Sequence, residues 1–318
     1  MQIPNKLKLN YSIRFLFCLL FLAMIACDTD EDKKGRFLLK GNEKLESDDP
    51  KGAMTYYAEA IEIDSAFSEA YYNKALAHLQ LKQLDESIAD LSLAIRYNVN
   101  FYDAVFQRGL NYLDNGEFYK AKEDSESLMK IDSSNWKSFF LVGLVEERFK
   151  NYPGALTAFQ EASHLAPDNS DLLVNQATVY YYQKDFEKAM AILEDAEKIN
   201  PEEANLYNLR SMILFDQQNY QAALQAVEKA IQWNNRQAYY YNNKGLYLLF
   251  LDQPEEGLEL INQSIQMDSK NPFALRNKGI YYVIKGDKTS ALQYLDDLAK
   301  DYPDMELVQE YVQKAKSL

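Results

Sequence analysis

A chain of 318 residues with eight Pro, 11 Gly and 24 Tyr, otherwise rich in Ala, Leu, Glu and Lys, is too long for one ordinary core and has little to make a flexible linker. It reads as an ordered helical array. The formal net charge of −14 excludes nucleic acid as a partner, since that binding needs Lys and Arg against phosphate, and favours neutral or basic partners.

The N-terminus stands apart. Lys6, Lys8 and Arg14 precede the apolar run Phe15 to Ala26, which stops at Cys27. A basic segment, an apolar core and small residues at its end form the layout of a secretory signal, residues 1-26. Twelve apolar residues in a helix cover roughly 18 Å, short of the ~30 Å hydrocarbon core, so a spanning anchor is disfavoured. The stretch Leu22 to Cys27 resembles the lipobox of bacterial lipoproteins, with Met24 where that family prefers Leu. The resemblance implies that Cys27 is diacylated and becomes the new N-terminus, a stable two-chain anchor to a membrane. Cys18 leaves with the signal, so the mature fold has no thiol for a disulfide or a metal.

Residues 27-33 read as an acidic tether after the lipidated cysteine. Its acid run resembles the export mark of Bacteroidetes surface lipoproteins, whereas Asp28 directly after the cysteine resembles an enterobacterial inner-membrane retention signal. The expected location is the cell envelope, with the outer membrane or cell surface favoured. Loss of Lys6, Lys8 and Arg14 makes the net charge of the mature chain −17.

From Lys34 the sequence repeats every 34 residues. Asn-Lys-Gly recurs in that register at Gly245 and Gly279, and units begin at Lys34, Ser68, Tyr102, Trp136, Ser170, Ala204, Ala238 and Pro272 without insertion or deletion. The eighth position is always small: Gly41, Ala75, Gly109, Gly143, Ala177, Ser211, Gly245 and Gly279. So is the twentieth: Ala53, Ser87, Ala121, Ala155, Ala189, Ala223, Gly257 and Ala291. Two small columns 12 residues apart are what two antiparallel helices need for close approach. Larger apolar residues lie between them at helical spacing, and Pro167, Pro201 and Pro303 share a column where a helix must stop. The tail from Glu306 sets Leu307, Val308, Tyr311, Val312, Ala315 and Leu318 on one face, as a solenoid cap requires.

These columns resemble the tetratricopeptide (TPR) repeat, which has a small residue at position 8, Ala at 20 and 27, and Pro at 32. The resemblance implies an all-α fold: a right-handed superhelical solenoid of about eight helix pairs over 34-305, closed by a capping helix at 306-318. Seventeen helices are expected.

Catalysis finds no support. The chain has two histidines, no Gly-rich phosphate loop and no cysteine beyond the signal and lipid positions. His78 reads as a packing residue, and no cofactor or metal is expected. The TPR resemblance instead implies a groove lined by positions 2, 5, 6, 9 and 12 of each first helix. The sixth column holds the amides Asn73, Gln107, Asn175, Asn243 and Asn277, which can donate to and accept from the backbone of an extended peptide. The fifth column adds Tyr72, Phe106 and Phe140, either as pockets or as packing between first helices. The carboxylate clamp of chaperone-binding TPR domains is not matched, because Leu38, Asp103 and Gln107 stand where it has basic residues. The seventh column is basic in six of eight units, from Lys40 to Lys278, and reads as a snorkelling stripe.

The leading expectation is a membrane-anchored scaffold that holds a neutral or basic protein or peptide segment in its groove. A glycan-capture lipoprotein using the tract Ala238 to Asn243 is the alternative from another class. An accessory subunit of an envelope secretion or assembly complex differs from the scaffold only in its partner.

Overall fold

The structure is a computed structural model that describes residues 29–318. The signal segment, Cys18 and Cys27 lie outside the described residues. Among the described residues there are 17 helices and no strand. They are α1 (Asp30–Glu46), α2 (Pro50–Ile63), α3 (Ser68–Gln80), α4 (Leu84–Tyr97), α5 (Tyr102–Asp114), α6 (Phe118–Ile131), α7 (Trp136–Arg148), α8 (Tyr152–Leu165) and α9 (Ser170–Tyr182). They continue as α10 (Phe186–Ile199), α11 (Ala204–Asp216), α12 (Tyr220–Trp233), α13 (Ala238–Phe250), α14 (Pro254–Met267), α15 (Pro272–Ile284), α16 (Lys288–Asp301) and α17 (Val308–Ser317). Within each unit odd and even helices pair, as in α11 with α12 and α13 with α14, and successive pairs pack on one another. The helices divide into two compact units, unit 1 up to Val145 and unit 2 from Glu146, with the division falling inside α7.

The small columns sit where two helices of a pair touch. A Cβ built on Gly245 would lie 2.7 Å from the Gly257 carbonyl oxygen and 2.7 Å from Ile261 Cγ1, so α13 and α14 meet backbone to backbone. Ala53, Ala75, Ala121, Ala155, Ala177, Ala189, Ala223 and Ala291 are fully buried at the equivalent crossings.

Turn chemistry is also periodic, in a column that sequence reading left unmarked. The fifteenth residue of every unit has positive φ: Asp48, Lys82, Gly116, Lys150, Lys184, Gln218, Asp252 and Gly286. It closes the first helix as a left-handed cap; in the repeat that begins at Ser170 the Lys184 N–H donates to the Tyr181 carbonyl at 2.8 Å and the Asp185 N–H to the Tyr180 carbonyl at 2.9 Å. The next residue often caps the second helix: the side chains of Asp49, Asn151, Asp185, Asn219 and Asp287 accept from backbone N–H groups of the following turn.

Two boundaries differ from the sequence reading. The acidic stretch is not a free tether throughout, because α1 starts at Asp30: Thr29 and Asp32 form a capping box, and three acids in the first turn complement the helix dipole. The last helix starts at Val308 rather than Glu306, because Leu307 is itself left-handed at φ 67°. No described helix is long and apolar enough to cross a membrane.

Candidate functional site

The inner face is defined here by positions 5, 6, 9 and 12 of the first helices. In unit 1 it is mostly open. Tyr72, Asn73, Leu76 and Leu79 on α3, Phe106, Gln107 and Leu110 on α5, and Phe140 and Leu144 on α7 are all half-buried, and Leu39 on α1 is 62% exposed. Leu113 and Leu141 are buried in the same unit. The aromatic residues of the fifth column pack between neighbouring first helices while keeping part of their surface: Tyr72 lies 5.0 Å from Phe101, and Phe106 lies 6.5 Å from Phe140. Lys137 sits 5.4 Å over the Phe106 ring and 3.2 Å from Asp103 at the groove edge.

The amide column is engaged within the protein. Asn73 Nδ2 donates to Asn42 Oδ1 at 2.9 Å, which also accepts from the Tyr57 hydroxyl at 2.9 Å. Gln107 Nε2 donates to Asn111 Oδ1 at 3.0 Å, Asn175 Nδ2 to the Asp171 carbonyl at 2.7 Å, and Asn243 Nδ2 to Asn208 Oδ1 at 2.9 Å. Asn277 is 0% exposed and donates to Asn242 Oδ1 at 2.8 Å. Asn277 is therefore corrected from groove contact to interhelix strut, since a buried amide whose N–H is satisfied by α13 cannot reach a ligand. The other amides are half-buried and keep acceptor capacity.

The basic seventh column finds polar partners on second helices. Lys74 lies 3.0 Å from Asp90, Lys244 3.0 Å from Glu228, and Lys278 donates to Asn262 at 2.9 Å. Arg108 grips Asp124 with two hydrogen bonds, at 2.9 and 2.6 Å; burial nonetheless pushes the Asp124 carboxyl above its ordinary range. His78 stands between Asp90 (3.3 Å) and Gln83 (2.8 Å). Among the described residues no group of three His, Cys, Asp or Glu side chains is placed to hold a metal ion.

The inner face of unit 2 is more closed: its whole fifth column, Val174, Asn208, Asn242 and Arg276, is buried, while Asn175, Thr178, Met212, Phe215, Asn243 and Val283 stay half-buried. Val174, Tyr181, Leu209, Leu246, Leu249 and Ile280 are buried and belong to one apolar core that also takes in Val308, Tyr311 and Val312 of α17. A polar cluster lies within it. Tyr247 is 1% exposed with its hydroxyl 3.0 Å from Ser211 Oγ, and Tyr181 hydrogen-bonds Asp216; burial raises both phenols. Lys184 reaches Asp216 at 3.2 Å and Glu306 at 2.8 Å. Arg276 is 6% exposed, and burial pulls its guanidinium down to about 10. Sequence reading missed this cluster, although Arg276 is the one charged residue in the fifth column. The tract Ala238 to Asn243 offers less surface than its composition suggested: Tyr240 and Asn242 are buried, and the Tyr241 hydroxyl donates to the Asn235 carbonyl.

Comparison with known proteins meets this geometry from outside. Tetratricopeptide-repeat family models match residues 38–99, 148–213, 204–237 and 274–304, together more than half of the chain. Anaphase-promoting complex subunit 3 of Schizosaccharomyces pombe is 28% identical over 136 residues, 43% of this chain and 20% of that protein. The chain thus spans only about a fifth of the length of that relative. Among solved structures, yeast Tom70 superposes with a TM-score of 0.62 at 17% identity, covering 92% of this chain and 65% of that one. Pseudomonas aeruginosa PilF gives 0.51 at 21% identity, covering 67% of this chain and 97% of that one. With the 34-residue register, the paired helices and the family models in agreement, the chain belongs to the tetratricopeptide-repeat family.

Proposed function

We propose that this protein is a non-catalytic, lipid-anchored scaffold that holds an extended segment of a partner protein on the inner face of unit 1. The observation that carries the reading is the partly exposed ladder Tyr72, Leu76, Phe106, Leu110 and Phe140, flanked by Asn73 and Gln107, in a repeat whose other half buries the whole fifth column. Partly exposed aromatic and aliphatic side chains on a rigid helical wall are the composition of interface hot spots, and neighbouring amides can serve a peptide backbone. One similar protein, anaphase-promoting complex subunit 3, is by name a subunit of a protein complex, which fits a protein-binding role. The acidic chain favours a neutral or basic segment. Cys27 is the proposed lipid site, holding the scaffold to an envelope membrane with the outer membrane or cell surface favoured.

Two measurements test the reading. Cys27→Ala should move the protein from the membrane pellet to the soluble fraction; continued sedimentation with membranes overturns the anchor. For the groove, the partner is captured by crosslinking in cells and its affinity measured against Phe106→Ala with Leu110→Ala. A loss of tenfold or more is expected, and unchanged affinity removes unit 1 as the binding face.

A further inference from the structure

In a stack where each pair touches only its neighbours, the segment after α16 should meet α15 and α16 alone. α17 does meet both. The residues leading into it go much further. The Glu306 carboxylate lies 2.8 Å from Lys184 Nζ, in the turn after α9 and 122 positions upstream. The Glu306 backbone carbonyl accepts from Arg276 Nη1 at 3.1 Å. Met305 and Leu307 pack on the apolar core that starts at Val174, and Tyr311 is buried in that same core. The C-terminal segment therefore lies along the inner face of unit 2.

The fit between segment and face is uneven. Leu307 holds φ 67°, a left-handed conformation that a branched L-residue rarely adopts, to make the bend. The Lys184 and Glu306 side chains are 52% and 62% exposed, so water competes for their bridge. The buried Arg276 guanidinium has neutral acceptors, the Glu306 carbonyl and Asn277 Oδ1 at 2.9 Å, and rests 5.3 Å from the Phe273 ring. A guanidinium is built for two parallel hydrogen bonds to a carboxylate, and the resident segment aims its carboxylate at Lys184 instead.

We propose that the inner face of unit 2 is a docking site for a short amphipathic helix led by a carboxylate, that residues 305–312 are its resident occupant, and that a partner helix of the same chemistry exchanges with them. The pattern to match is that of Glu306, Leu307, Val308, Tyr311 and Val312: an acid, two aliphatic residues, and an aromatic–aliphatic pair one turn later. The resident segment accepts a direct hydrogen bond from Arg276 on its backbone carbonyl and offers the Glu306 carboxylate only through space, so an incoming carboxylate set on the guanidinium gains a direct charged hydrogen bond. The site is separate from the inner face of unit 1 and stands whether or not that face binds a partner.

Hydrogen exchange on the unmodified full chain is the first test. The amides of Tyr311 to Lys316 should exchange at least 100-fold faster than those of Leu246 to Leu249, because α17 can leave without unfolding α13. Equal protection makes α17 a permanent cap and overturns the proposal without any substitution. The second test adds a labelled peptide with the sequence of residues 304–318. The full chain carrying Glu306→Lys and Tyr311→Ala, in which the resident is weakened, should bind it at least tenfold more tightly than the unmodified chain. Adding Arg276→Met to that variant should abolish the gain. No gain in the double variant, or retention of the gain without Arg276, refutes exchange at this face. A concentration-dependent dimer of the unmodified chain that vanishes with Tyr311→Ala would assign the face to a second copy and equally refute the partner helix.

Discussion

Units 1 and 2 are written in the same 34-residue register, yet the fifth column keeps part of its surface in one and is buried in the other. Phe106 and Phe140 keep part of their rings exposed, whereas Val174 and Arg276, in the same fifth column of unit 2, are buried, Val174 in the core that takes in the last helix and Arg276 against the Glu306 carbonyl. The repeat thus determines which side chains form the inner face, and whatever lies beyond the repeat determines whether that face is free. Energetically the two faces should differ: a half-exposed aromatic residue contributes through part of its area, and a buried one through all of it plus the cavity its removal leaves.

The largest effect that could break this comparison is therefore a pair of truncations. Leu246→Ala should destabilise unit 2 by about 2–5 kcal/mol, since a buried inner-face side chain is lost and leaves a cavity. Phe106→Ala should destabilise unit 1 by about 1 kcal/mol, in proportion to its half-burial. Hydrogen exchange read separately in the two units measures both, and similar costs would mean that the faces do not differ in packing.

Glycine substitutions give the next largest contrast. Gly245→Ala drives a methyl group against the Gly257 carbonyl and the Ile261 backbone nitrogen, neither of which can rotate away. A cost of about 2–3 kcal/mol is expected in urea denaturation. At Gly109 the nearest obstacle is a Leu141 methyl group, which can turn aside. There the gain of about 1 kcal/mol in helix propensity should roughly cancel the crowding, leaving stability nearly unchanged. Equal losses at both glycines would show that the pairs in the two units are packed alike.

How much of this could be read from the sequence depends on what kind of constraint each residue answers to. The small columns were legible because close helix approach is a steric demand that only Gly, Ala or Ser can meet, and Gly245 against Gly257 shows the demand at its strictest. The amide column was legible as a column, but not as a set of struts. Whether Asn277 meets a ligand or Asn242 depends on the offset between neighbouring first helices, which sequence periodicity does not carry. The apolar face of α17 was visible as well. Its destination was hidden, because the bend at Leu307 follows from no turn-forming residue and the partners of Glu306 lie 122 and 30 positions away.

The smallest effect concerns the left-handed fifteenth column, which composition also concealed, since glycine fills only two of its eight places. An L-residue there costs about 1–2 kcal/mol relative to its preferred conformations. Glycine removes that cost but loses about 0.5–1 kcal/mol to the freedom of the unfolded chain. Lys150→Gly should therefore stabilise unit 2 by about 0.5–1 kcal/mol, while leaving the Asn151 cap in place. Lys184→Gly relieves the same backbone but also removes the bridges to Asp216 and Glu306, exposed pairs worth about 0–1 kcal/mol in total. Its net effect should be close to zero, with faster exchange confined to α17. If Lys184→Gly stabilises as much as Lys150→Gly and leaves α17 exchange unchanged, the bridge holds nothing, and the more closed face of unit 2 rests on apolar packing and Arg276 alone.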